Sequence, residues 1–565
     1  MSDLSQFSLA CASLDVNSHA SVTSLTTILE PITAKLAQSK RQRQRLGEND
    51  ALWTDLRKLW RDLSRAHLTF WDNDDSDEDD GEVDKRRQHG FRTLCASLTR
   101  FTRNLVAGVP ENQMRAFENE PEIRRLLHYY TSWSSMEDEE AISLARVLAQ
   151  TLSNLVTGNE ILIPKLWNIY MNLPEDQVVI IRLLSSPDSR TLLAALVLIL
   201  NCIDASRTRI KLLTRTATGV RICISLLDNM VQLYDAEDAS EGARAFDIGY
   251  EIFTRIMGAD LVPSLFARLS VQDEIITPHQ TTLLKLVDSY LQAVKAPSTP
   301  TTPQGTPIYA KLRRMLAKTF FSLSKYAQNS IGKSLGISSS TVQPPAPNAH
   351  APPDLGQPAF EPPSSLDVML PKVSEALVLV TQCIVTITLE SDELAVTPAE
   401  LKQTSQDFFN ETRFADQGIV ESLTELLRLL DMFLPRINFG KPVAAGVAVL
   451  DAAAAAALPT PAQPQGVNSI GFSYLKRDLV RLLGILCHGT KAAQDRARHC
   501  GGIEVVMNMC VIDERNPYLR EHAIFTLHNL LKGNPENQAV VEAIKPSGEW
   551  DDNGVLRDAS GAVRK

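Results

Sequence analysis

Two adjacent pairs, Cys487-His488 and His499-Cys500, put two thiols and two imidazoles into one short stretch of a 565-residue chain, the donor set of a tetrahedral zinc or soft copper site. Neighbouring residues on a helix point about 100° apart, whereas chelating pairs use i,i+4 spacing or a turn, so these pairs read better as helix ends, where imidazole meets the negative end of the dipole. Copper or zinc binding is therefore kept only as a second alternative, and no metal ligands are assigned. His522 and His528 are spaced to face opposite sides of a helix. In the run Trp71 to Lys85, WDNDDSDEDDGEVDK, placing Gly81 at the sixth position of a calcium loop puts Arg87 where a bidentate carboxylate is needed. There is no GxxxxGK[ST], no GxGxxG after a strand, no GxSxG and no HExxH, so no cofactor and no catalytic residue is expected, and the chain reads as a non-enzyme.

The more informative side chains are asparagines. Asn104, Asn154, Asn201 and Asn529 recur at one place near the end of similar apolar segments. A carboxamide offers donors and an acceptor, so a row of them can pair with an extended peptide's backbone, and the four are candidate peptide-groove residues. The structural reading is that each carboxamide ties neighbouring helices together. Thr299, Thr302 and Thr306 each precede a proline, as proline-directed phosphorylation sites do, among PxxP spacings that suit aromatic grooves. Lys40, Arg41, Arg43 and Arg45 form a short basic run that reads as an exposed helix face.

The elements that position these residues are repeats. NLVAGVPENQ (Asn104 to Gln113) and NLLKGNPENQ (Asn529 to Gln538) share seven of ten residues. Upstream, Leu94, Leu98, Thr102 and Leu105 have the spacing of Leu519, Ala523, Leu527 and Leu530, which puts each set on one helix face. The same stripe fits Leu144, Leu148, Leu152 and Leu155, then Thr191, Ala195, Ile199 and Cys202, and again Leu475, Leu479, Leu483 and Leu486; weaker copies begin at Ile248 and Leu312. The spacing of these starts matches the roughly 40 to 47 residues of HEAT and armadillo units. In the C-terminal copy, Ala492 to Cys500 reads as a short helix ended by Gly501-Gly502, Ile503 to Val511 as a middle helix, and Asn516-Pro517 as the start of the next long one. The expected fold is all-α, an armadillo/HEAT-like α-solenoid of three-helix repeats with disordered insertions.

Composition supports a helical array. Glycine is 26 of 565 residues, below the usual roughly 7%, which disfavours all-β folds. The chain divides into helical repeats over 1–295, with a solvated acidic loop at 71–85; a Pro/Thr-rich linker, 296–307; a helical segment, 308–340; a Pro-rich linker, 341–366; helical repeats, 367–439; an Ala/Pro-rich linker, 440–469; a C-terminal domain, 470–545; and a tail, 546–565. A net charge of -10 repels phosphate backbones, so nucleic acid is not an expected partner. The densest apolar block, Leu192 to Leu200, is too short to span a bilayer, and no membrane partner is expected. Eight scattered cysteines without a CxxC, and a start that does not read as a signal peptide, point to the reducing cytoplasm.

Tyr474 to Gln538 resembles the C-terminal domain of the ataxin-10 family through KRDLVRLLG, GGI, CVID (Cys510 to Asp513), NPYLRE and NLLKGNPENQ, in the family's order. It departs from the family at Ile485, where an asparagine is usual, and at His522, where tryptophan is common. The resemblance implies an armadillo-like scaffold without catalytic activity, in a family linked to regulation of cytokinesis and to cell survival, and the Pro-rich insertions look like its fungal branch. Other proteins are the expected partners, with self-association left open alongside them. The alternative is a transport receptor that binds a basic cargo peptide in an acidic groove; it lacks tryptophans one turn before the asparagines.

Overall fold

A computed structural model describes residues 3–69, 81–293, 309–337, 367–393, 404–434, 436–438, 441–443, 472, 474–544, 548–550 and 556–558. They fall into two compact units, Met1–Leu269 and Ser270–Lys565. The first unit opens with α1 (Asp3–Ala12) and α2 (His19–Gln38) and continues in triplets of short, middle and long helices. These are α3 (Lys40–Gly47), α4 (Asp50–Thr69) and α5 (Gly81–Val106); α6 (Pro110–Ala116), α7 (Glu120–Tyr130) and α8 (Glu139–Val156); α9 (Leu162–Met171), α10 (Val179–Leu184) and α11 (Ser189–Ile203); then α12 (Arg207–Arg215), α13 (Ala217–Leu233) and α14 (Glu241–Gly258), with α15 (Val262–Arg268) last. The long helices pack in one row, α2–α5–α8–α11–α14, and the middle ones in a second, α1–α4–α7–α10–α13.

The second unit repeats the plan. Its helices are α16 (Pro278–Ala293), α17 (Ala310–Ser334), α18 (Leu370–Glu393), α19 (Ser405–Glu411), α20 (Ile419–Phe433), α21 (Leu475–Cys487), α22 (Lys491–His499), α23 (Gly502–Asn508), α24 (Leu519–Leu531) and α25 (Pro535–Ala543). The long row is α16–α18–α21–α24 and the middle row α17–α20–α23. Three short antiparallel hairpins join in: β1 (Arg413–Phe414) with β2 (Gln417–Gly418), β3 (Arg436–Asn438) with β4 (Lys441–Val443), and β5 (Gly548–Trp550) with β6 (Leu556–Asp558). Two rows of long and middle helices with a short helix per turn are an armadillo/HEAT-like α-solenoid.

Local sequence sets the helix ends. The Asp138 carboxylate accepts from the Glu140 N–H at 2.9 Å, with Glu139 and Glu140 in the positive first turn of α8. Five long helices, α5, α8, α11, α21 and α24, are followed by a residue in the left-handed region at one repeat position: Gly108, Gly158, Gly489 and Gly533, with φ between +63° and +71°, and Ala205 after α11 at φ +53°. The apolar stripes read from sequence are the buried faces of α5, α8, α11 and α21. Leu519, Ala523 and Leu530 of α24 are buried as well, but Leu527 is only half-buried. Its counterpart Leu483 is covered because α24 packs on α21.

Several boundaries move. Residues 81–85 of the expected acidic loop are the start of α5, because extending a nucleated helix costs little per residue. The weak copy at Ile248 holds in part: Ile252 and Ile256 are buried, whereas Ile248 is half-buried and Ala245, Gly249 and Phe253 complete the buried face of α14, because i+3 and i+4 stripes overlap enough to be confused. The copy at Leu312 is buried, but in middle-row α17, while the long helix beside it, α18, has no counterpart among the sequence repeats. α16 belongs to the second unit because its partner is α18, across the inserted segments, so the first unit ends at Leu269 instead of 295. The linkers 296–307 and 341–366 lie outside the described residues, β4 occupies the start of 440–469, and β5 and β6 lie in the stretch read as a tail.

Leu370–Leu389 is long and apolar enough to cross a membrane, which corrects the view that no stretch reaches that length. In the fold it packs against α16, α17 and α21 with Cys383 and Ile384 fully buried, and Gln382 Nε2 donates to the Asp478 carboxylate at 3.0 Å, so its apolar surface serves a protein core.

Two outcomes follow from this packing. Leu483→Ala is expected to cost about 2–5 kcal/mol in chemical denaturation, and Leu527→Ala less than half of that, since among the described residues no further long helix packs on α24 as α24 packs on α21. His67 stacks on Phe91 at 5.7 Å and meets the Tyr129 ring edge-on, and burial followed by the Arg92 charge pushes its pKa down to about 4. The unfolded imidazole titrates near 6.5, so this contribution is complete above that pH and is lost as pH falls toward 4, on the order of 3 kcal/mol across the window. His67→Phe is expected to flatten the acid limb of the stability curve; a limb that superimposes on the wild type assigns the transition to other groups.

Candidate functional site

The expected asparagine ladder points back along the stack. Asn104 Nδ2 donates to the Thr33 carbonyl of α2 at 3.1 Å, Asn154 Nδ2 to the Arg103 carbonyl of α5 at 3.2 Å, and Asn201 Nδ2 to Ser153 Oγ and Thr157 Oγ1, both at 2.9 Å. In the second unit Asn529 Nδ2 donates to the Gly484 carbonyl of α21 at 3.0 Å, and its Oδ1 lies 3.3 Å from His488 Nδ1. Each carboxamide is half-buried and joins its long helix to the one before. Thr151 and Thr526, one turn earlier at equivalent positions, do the same to the carbonyls of Thr99 and Val480.

A forward connection accompanies this backward one, and sequence reasoning missed it. Gln113, buried on α6, donates through Nε2 to the carbonyls of Asn154 (2.8 Å) and Thr157 (3.0 Å) at the end of the next long helix. Gln494 on α22 donates to the equivalent carbonyls of Asn529 (2.9 Å) and Lys532 (3.4 Å), and Gln406 on α19 to those of Ile485 (2.9 Å) and His488 (2.8 Å). The last four carbonyls of a helix have no partner within it, so one glutamine satisfies two of them. Asn112 and Asn537, beside the glutamines of PENQ, cap Leu105 and Leu530 in their own repeats at 2.9 and 2.7 Å. The signal was present: the repeated motif ends on that glutamine.

With the backbone satisfied this way, the long-helix row of the first unit keeps a cleft of about 430 Å³ over α8, α11 and α14. Gln150 and Asn154 edge it, Leu193, Ala194 and Val197 of α11 form an apolar floor, and Arg146, Arg190 and Arg244 form a basic rim. Arg146 pairs with Asp188 at 2.8 Å and Arg244 with Glu241 at 3.2 Å; Arg190 has no ion-pair or hydrogen-bond partner among the described residues. On α5, Arg103 Nη1 donates to Gln150 Oε1 at 2.6 Å, and burial, then Arg100, lowers its pKa. Asn104, Asn154 and Asn201 thus share a unit with the cleft, of which Asn154 is a lining residue, and Asn529 belongs to the other unit. This basic rim runs against the acidic groove expected of a basic-cargo receptor: the groove's charge is set by arginines that only the stacking brings together.

The remaining candidates separate. Among the described residues no group of three or more His, Cys, Asp or Glu side chains is placed to hold a metal. The Cys487 thiol is buried and pushed up to about 12 by desolvation, while His488 is exposed against Asn529. All eight cysteines are free. Thr299, Thr302 and Thr306 lie outside the described residues.

In the C-terminal domain Lys476 is fully buried, donating to Asp431 Oδ1 at 3.2 Å and the Leu434 carbonyl at 2.8 Å. Asp513 accepts from the Ile437 N–H at 3.2 Å and from Asn516 Nδ2 at 2.9 Å. Lys476 thereby holds the end of α20, and Asp513 holds strand β3 through Ile437.

These features define a helical-repeat scaffold of the armadillo/HEAT class. The family described as "Spinocerebellar ataxia type 10 protein domain" matches residues 475–564, which takes in β5 and β6. This C-terminal stretch is therefore similar to the domain of the ataxin-10 family. An ataxin-10 homolog of Dictyostelium discoideum is 40% identical over 83 residues, 15% of this chain and 14% of the relative. One from Kluyveromyces lactis is 33% identical over 93 residues, 16% of this chain and 17% of the relative. The chain thus aligns with less than a fifth of each of these relatives. The solved structure of SYS-1 superimposes with a TM-score of 0.31 at 10% identity, covering 96% of this chain and 95% of that one.

Gln494→Ala is expected to cost about 1–3 kcal/mol by orphaning helix-end carbonyls, and Gln538→Ala close to nothing, because exposed Gln538 reaches only the Leu531 carbonyl at 2.9 Å. Joint replacement of Asn104, Asn154 and Asn201 by alanine is expected to lower the melting temperature, each lost bond contributing about 0.5–1.5 kcal/mol. An unchanged melting temperature in that variant assigns the carboxamides to binding instead of stacking.

Proposed function

We propose that the chain is a non-catalytic scaffold that recruits other proteins through the long-helix row of its first unit. The observation that carries this reading is the cleft over α8, α11 and α14, whose rim arginines and half-exposed Leu193 and Val197 are spared from packing while the backbone around them is already hydrogen-bonded. The match of residues 475–564 to the ataxin-10 domain and the repeat fold support a scaffold role. On the same resemblance the role belongs to regulation of cytokinesis and cell survival, in the cytoplasm, where eight free thiols are at home.

Replacing Val197 in the full chain by a photo-crosslinking phenylalanine tests the surface inside cells. Discrete crosslinked proteins are expected at 197 and not at the control position Val231, which is 61% exposed on the middle row. Equal yields at both positions would dismiss the cleft as the recruiting surface. Cells lacking the protein are expected to accumulate division failures; normal division separates the scaffold role from cytokinesis.

A further inference from the structure

We infer that the cleft of the first unit selects an acidic, extended polypeptide segment carrying an apolar residue between its carboxylates. This rests on the scaffold reading above and adds the chemistry of the partner. The rim supplies Arg146, Arg190 and Arg244. One repeat earlier, Arg100 and Arg103 of α5 occupy the helix positions that Gln150 and Ser153, both lining residues, hold in α8. The cleft lining holds three arginines and a single carboxylate, Glu241, which pairs with Arg244, while Arg146 pairs with Asp188, so guanidinium groups are in excess at the cleft of a chain whose net charge is -10. Exposed Arg190 and Arg100 have no partner among the described residues. A guanidinium presents a planar fork that fits a carboxylate bidentately, and an excess of them disfavours a basic segment by like-charge repulsion.

The floor decides between acidic classes. Leu193, Ala194 and Val197 form an apolar strip between the arginines, and 430 Å³ lies at the small end of ligand sites, enough for an apolar side chain and its neighbours. Single-stranded nucleic acid uses aromatic platforms for its bases, and the lining has none. Arg146, Arg190 and Arg244 come from the successive long helices α8, α11 and α14, which suits an extended segment crossing the row.

The test is fluorescence anisotropy on the full chain with three labelled short peptides: Asp and Glu flanking one leucine, the same acids flanking serine, and lysines flanking leucine. The acidic leucine peptide is expected to bind tightest, to weaken as salt screens the rim, and to lose about tenfold or more in affinity to an R190E/R244E variant whose melting curve matches the wild type. Arg190 is exposed and unpaired and Arg244 makes only an exposed pair, so folding is not at stake, and R190A with its milder loss gives a second point. Equal affinity for the lysine peptide, or acidic binding untouched by R190E/R244E, overturns the inference, as does displacement of the acidic peptide by a short single-stranded RNA at lower concentration. If no acidic peptide binds while crosslinking at position 197 still captures proteins, the acidic specificity falls and the scaffold reading stands; if both fail, the cleft is not a recruiting surface.

Discussion

A helix ends on carbonyls that it cannot satisfy, and a stack of helices multiplies that cost by the number of repeats. In this chain a buried glutamine on the short helix of one repeat reaches forward to two carbonyls closing the next long helix, as Gln113, Gln406 and Gln494 do. An asparagine on that long helix reaches back to the repeat before, as Asn154 and Asn529 do. The two carboxamides fix the axial register between neighbours, which apolar packing alone leaves adjustable because area burial has no direction.

The surface chemistry depends on that register. Once the helix ends are capped from within, side chains on the long-helix row are not needed for backbone satisfaction, and Arg190, Leu193 and Val197 are left facing a cleft. The same economy appears in the C-terminal domain, where Lys476 and Asp513 hold the residues around β3 from inside the core. Burial pushes the Lys476 pKa below its ordinary value against the pull of Asp431, so that ammonium anchors structure and is not displayed for chemistry.

At the last described repeat the device changes. Gln538 corresponds to Gln113 and Gln494, yet it is exposed and turns back on the Leu531 carbonyl at the end of α24, and Ile524 is 48% exposed where its α21 counterpart Val480 is buried. A single residue type carries different energetic weight according to position in the stack, as the contrast of Leu483 with Leu527 shows.

The helical class, the three-helix repeat and the family block were legible from the sequence, because apolar stripes, glycine after several long helices and a repeated ten-residue motif are properties of nearest neighbours along the chain. The forward role of the motif's glutamine was not, since its partner carbonyls lie in the following repeat and a sequence records donors without their acceptors. The rest of the buried face of α14 and the layer of α17 also escaped, because i+3 and i+4 stripes overlap. Unit membership was decided by α16 finding α18 across an insertion, and the basic charge of the cleft by stacking that gathers Arg146, Arg190 and Arg244 from three separate helices. Periodicity specifies which face of a helix is buried; only the three-dimensional stack determines which faces meet and what remains exposed between them.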